Sequence, residues 1–88
     1  MAHYMVTRTL PPLTAEQLDT IGRKVVAACD QIEGMQWLRS HVTADGKHSF
    51  CEFEAPSAEA CREHSNLVGL PVDEVIPLGM EIGPSLFK

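Results

Sequence analysis

"WLRSHVTADGKHSFCEFEAP", residues 37–56, is the stretch from which the fold can be read. Its centre, Asp45-Gly46, signals a tight two-residue hairpin turn, because such turns need the positive φ that Asp and Gly tolerate. The flanking runs alternate and hold β-branched and aromatic residues, so they read as two antiparallel strands. Counting outward, Ala44 faces Lys47, Thr43 faces His48, His41 faces Phe50, Arg39 faces Glu52 and Trp37 faces Glu54. Residues directly opposed across such a pair point to the same side. One side therefore collects Leu38, Ser40, Val42, Ser49, Cys51, Phe53 and Ala55, small or apolar and suited to lie beneath helices. The other collects Trp37, Arg39, His41, Thr43, His48, Phe50, Glu52 and Glu54, which needs a different explanation.

The rest of the chain supplies the helices. "HYMVTRTL", residues 3–10, reads as a first strand ended by Pro11 and Pro12. Thr14 can cap a helix, with Gln17 three positions on completing a capping box. Leu18, Ile21, Val25, Ala28, Cys29 and Ile32 then fall on one helical stripe, and Gly34 is placed to close it. After Pro56, Ser57 is a fair N-cap for a shorter helix, "SAEACREHSNLV", which turns Ala60, Cys61, His64, Leu67 and Val68 inward and meets Gly69 at its end. "LPVDEVIPLGMEI" is a last extended segment, and Pro77 within it predicts a sheet edge, since proline cannot donate to a central ladder.

No repeat, low-complexity tract or linker interrupts this order, so residues 1–88 are expected to form one domain. The sequence β-α-β-β-α-β predicts an α+β fold, the ferredoxin-like plait: a four-stranded antiparallel sheet with two helices on one face. If Tyr4 and Val6 point to the helices, His3, Met5 and Thr7 join the open face, with His3 near Glu54. A bare face bearing Trp37, Phe50 and Met5 would be a large apolar patch in water, which monomers avoid. The chain is therefore expected to form a homodimer through the open sheet face, enclosing a space lined by Arg39, His41 and Glu52.

Composition narrows the partners. The formal charge is −5, and the seven Lys and Arg residues are scattered, so no basic stripe exists for nucleic acid or anionic lipid. The N-terminus lacks a basic segment followed by an apolar run, and nothing approaches the roughly 18 apolar residues of a membrane span. A cytoplasmic location is expected. Cys29, Cys51 and Cys61 are odd in number and widely spaced, unlike a disulfide framework or zinc knuckle.

"MVTRTLPPLTAEQL", "WLRS", "FCEFEAPSAEACREH" and "GLPVDEVIP", taken in order, resemble the family of small bacterial ferredoxin-like nickel-binding proteins across nearly the whole chain. The resemblance implies a homodimer binding Ni(II), or another divalent transition metal, at the dimer surface, in the manner of a nickel-sequestering protein. This chain departs from the family pattern at His41, where tyrosine is usual, at Glu52, where an apolar residue is usual, and at Thr7, where an acid is usual.

Two candidate donor groups follow from the strand pairing. His41 and His48 are diagonal neighbours, with Cβ atoms about 7 to 8 Å apart, and imidazole ligates nickel, zinc and copper alike. His3 with Glu54, extended by Glu52, is the second. His64, on a helix, reads as a packed and hydrogen-bonded core residue. The alternative function is a cofactor-independent enzyme of the dimeric α+β barrel type. There the open face would hold a small apolar or aromatic ligand, His41 or Glu52 would move a proton, and Arg39 would stabilise negative charge or pair with Glu52.

Overall fold

Period-two alternation builds a sheet, and helical stripes cover one of its sides. The computed structural model describes residues 2–88. It contains β1 (Ala2–Thr9), α1 (Ala15–Asp30), β2 (Gln36–Val42), β3 (His48–Ala55), α2 (Ala58–Val68), β4 (Glu74–Leu78) and a 3₁₀ turn at Pro84–Leu86. The strands run in the order β2-β3-β1-β4, every neighbouring pair antiparallel, with both helices on one face. This is the ferredoxin-like plait. Pro77 does lie on an edge strand, opposite Tyr4. No helix is long and apolar enough to cross a membrane, among the described residues.

Local chemistry starts and stops the helices. Thr14 Oγ1 accepts from the Gln17 amide at 3.1 Å, and Gln17 Oε1 accepts from the Thr14 amide at 2.9 Å, a complete capping box. Ser57 Oγ accepts from the Ala60 amide at 3.1 Å, and Gly69 ends α2 in the left-handed conformation at φ 85°. Helix α1 stops short of Gly34: the Gln31 amide donates back to the Ala28 and Cys29 carbonyls, and Gly34, at φ 79°, instead turns the chain toward β2.

The hairpin is wider at its tip than a two-residue turn. The Gly46 amide donates to the Thr43 carbonyl at 2.8 Å, the Thr43 amide to His48 at 2.9 Å, and Gly46 has φ 76°. Thr43 and His48 thus close the loop, as counted from the sequence. Asp45 accepts from Thr43 Oγ1 and the Lys47 amide, bonds that hold its carboxyl below the usual carboxylate range.

One register expectation fails. Arg39 faces Glu52 and His41 faces Phe50, but a β-bulge between Trp37 and Arg39 places Trp37 opposite Phe53 and Gln36 opposite Glu54. Trp37 therefore leaves the open face and packs against the core, where its Nε1 donates to Ser40 Oγ at 2.9 Å. Burying the indole body while satisfying its N–H is favourable enough to absorb the extra residue, Leu38.

The core joins Val6, Cys51 and Phe53 of the sheet to Val25, Ala28 and Cys29 of α1 and Ala60, Cys61 and Val68 of α2. All three cysteines are free and buried. Burial pushes the Cys61 thiol up to about 11, so it behaves as a small hydrophobe. Among these apolar groups lies Arg8, only 2% exposed. It donates from Nη1 to Ser65 Oγ and to the Pro71 carbonyl, both at 2.9 Å, and no carboxylate pairs with it among the described residues. His64, fully buried, donates from Nε2 to the Val25 carbonyl at 3.0 Å and tilts against Phe53 with ring centroids 5.0 Å apart.

Two stability predictions follow. Arg8→Ala loses two charge-assisted bonds and opens a void, so urea denaturation should show a loss of about 2 to 4 kcal/mol. Arg8→Met fills the space and removes the desolvated charge, so its loss should be clearly smaller. Burial chiefly, aided by the Arg8 charge and opposed by the Val25 carbonyl, lowers the His64 pKa below its ordinary value. The unfolded chain then binds the extra proton, and this contribution is full above about pH 6.5 and is lost as pH falls toward the lower folded value. Denaturation midpoints should therefore drop between about pH 7 and 5, and His64→Gln should flatten that part of the curve.

Candidate functional site

The two registers arrange the helix-free face in rows. His3 lies between Glu54 and Leu78; Met5 lies between Glu52 and Ile76, with Arg39 beyond Glu52; Thr7 lies between Phe50 and Glu74, with His41 beyond Phe50; and Thr9 adjoins His48. Loss of Trp37 from this face leaves Phe50, Ile76 and Leu78 as its exposed large apolar side chains, at 41%, 37% and 37%.

At the His3 end the chain leaving β4 turns back and makes a wall. His3, Arg39 and Glu52 of the sheet and residues Leu78 to Ile82 line a half-enclosed cavity of about 380 Å³. The apolar cavity under α1, beside Trp37 and Cys51, holds only about 80 Å³. That is well below the roughly 300 Å³ at which small-molecule sites begin. The cavity at the His3 end includes Arg39 and Glu52 of the proton-transfer set, while His41 lies one row further along β2 and outside it.

Two of the expected pairings are made. Arg39 Nη1 donates to Glu52 Oε2 at 2.6 Å, so Glu52 is already neutralised by a cation. His3 Nε2 meets Glu54 Oε1 at 3.0 Å. A carboxylate only accepts, so Nε2 carries the proton and Nδ1 is the nitrogen left for another partner. An imidazole oriented by a carboxylate on one nitrogen and free on the other is how protein histidines are commonly presented to metal ions.

The other end of the face is organised differently. His48 Nδ1 lies 3.4 Å from Thr9 Oγ1, whose single proton goes to Asp73 Oδ2 at 2.6 Å. Thr9 can then only accept from His48, which places the proton on Nδ1 and leaves Nε2 for another partner. His41, exposed on β2, makes no side-chain hydrogen bond among the described residues. Nowhere among the described residues do three His, Cys, Asp or Glu side chains converge as a ready cation cage. The donor chemistry of the face nonetheless fits a divalent transition metal: exposed imidazoles with one nitrogen fixed, and carboxylates beside them. His3 would supply a ligand atom, with Glu54 orienting it.

Two features of the site escaped the sequence. The bulge removed Trp37, and residues 79–82, expected to continue the last extended segment, leave the sheet after Leu78 and supply a wall instead.

Comparison with curated proteins finds no match. Among solved structures, SCO4226 from Streptomyces coelicolor A3(2) is similar with a TM-score of 0.81 at 22% identity, over 92% of this chain and all of that one. At that identity the likeness establishes the plait alone. A family model described as "Nickel responsive protein SCO4226-like" matches residues 4–78, from the first strand through the last. The chain belongs to the SCO4226-like family of nickel-responsive proteins.

Proposed function

We propose that this protein is a homodimeric binder of Ni(II), or of a closely related divalent transition metal, acting in metal sequestration in the cytoplasm. The His3–Glu54 pair carries the reading: an exposed imidazole, fixed through Nε2 at 3.0 Å and with no second hydrogen bond among the described residues, beside a cavity open to solvent. Membership of a nickel-responsive family supports nickel over other ions that accept the same donors. His41 and His48, at the opposite end of the face, are further imidazole donors.

Isothermal calorimetry with Ni(II) tests this. Ligation needs neutral imidazole, so affinity should fall as pH is lowered from about 7.5 to 5.5. His3→Ala should remove most of the affinity. Glu54→Gln should cost roughly tenfold, the scale typical of losing a group that orients a ligand. If His41 and His48 share an ion, His41→Ala, His48→Ala and the double variant should lose similar affinity. Titrations without heat, or indifferent to pH, would defeat the reading.

The dimer is expected to form through the open face, covering Phe50, Ile76 and Leu78. Sedimentation at micromolar concentration should give twice the subunit mass, and Phe50→Glu should weaken association by forcing a charge into a desolvated contact. A monomer in the unsubstituted protein would overturn this part.

A further inference from the structure

The segment after β4 lies outside the family match, which covers residues 4–78. It nevertheless walls the cavity that His3 enters. Its own packing is slight: Met80 and Ile82 are 84% and 65% exposed, so burial does little to hold it in place. Residues 80–82 are flanked by Gly79 and Gly83, and a side chain at either glycine would meet nothing within 4 Å, so no packing surrounds either end of the segment.

The charges around the cavity are not equivalent. Glu52 is bound by Arg39 at 2.6 Å and Glu54 by His3 at 3.0 Å. Glu81 lines the same cavity and has no hydrogen bond or ion pair among the described residues. A cation arriving at the Nδ1 of His3 would find this uncommitted carboxylate in the lining of the same cavity. An anionic ligand on a loosely packed segment can close onto an ion with little packing to break, whereas a carboxylate already held by arginine must first give up its partner.

We propose that residues 79–82 form a metal-responsive strap whose Glu81 supplies a second protein ligand to the ion at His3. This rests on the metal-binding reading of the face. It adds a ligand from a segment that the family match does not include, and it makes capture of the ion and ordering of the strap one event.

The test uses the 88-residue chain, Ni(II) alone as the probe, and two readouts. Calorimetry compares the unsubstituted protein with Glu81→Gln, a chain ending at Gly79, and a control, Glu63→Gln on the exposed side of α2. Amide hydrogen exchange of residues 79–83 is followed with and without Ni(II). Thermal melts check that each variant keeps the fold. The expected result is affinity weakened roughly tenfold in Glu81→Gln and in the truncated chain, no change in Glu63→Gln, and slowed exchange in 79–83 only when Ni(II) is present and Glu81 is intact. If the unsubstituted protein binds Ni(II) but Glu81→Gln binds equally well and exchange is unchanged, the strap is overturned and the metal-binding reading stands. Failure of the unsubstituted protein to bind Ni(II) at all overturns both.

Discussion

A full positive charge sits under α2, and much of the molecule is arranged around it. The Arg8 guanidinium is nearly inaccessible, and its bonds reach partners 57 and 63 residues away in sequence. Removing a guanidinium from water without a carboxylate is expensive, so the neutral groups that meet it must be well placed. Ser65, near the end of α2, and the Pro71 carbonyl perform that role, fixing the turn that carries the chain from α2 to β4. The Asp73 amide bonds to the Thr7 carbonyl at 2.8 Å and the Glu74 amide to Thr7 Oγ1 at 3.1 Å, so β4 is delivered against β1 close to the same arginine.

The bulge at Leu38 separates packing from chemistry along a single strand. Without it, an indole would lie outward at the end of the hairpin, next to the His3 and Glu54 pair. With it, Trp37 stays with the core while Arg39 and His41 keep their outward places opposite Glu52 and Phe50. The open face is consequently more polar than strict alternation implies, and it leaves room at its His3 end for a solvent-filled space.

Most of the plait was legible because its signals are local. The capping box at Thr14 and Gln17, the Ser57 cap, Gly69 and the edge position of Pro77 each follow from the chemistry of a few adjacent residues. The pairings of Arg39 with Glu52 and His3 with Glu54 followed from period two, which survives wherever a strand is regular. Trp37 did not follow, because a bulge is decided by how a side chain packs against an α1 that is distant in sequence. Leu18 and Leu67 fit their helical stripes yet are about half exposed. Alternation does place Arg8 on the helix side with Tyr4 and Val6, but nothing near it in sequence shows which groups would tolerate its charge there. The wall formed by residues 79–82 has neither period nor cap, and only the returning path of the chain brings Glu81 near His3.

Pro77 has a consequence for how copies of the chain can grow into larger objects. A sheet with two free edges, here β2 and β4, can in principle be extended strand by strand into an endless ribbon, each subunit adding its edge to the last. Such head-to-tail growth needs both edges to be competent, because it does not close on itself. Proline removes a donor from the middle of β4, so one end of any would-be filament is a poor template. Contact through the sheet's broad face suffers no such handicap and ends at a closed pair, so the edge proline guards solubility while the face remains free to associate.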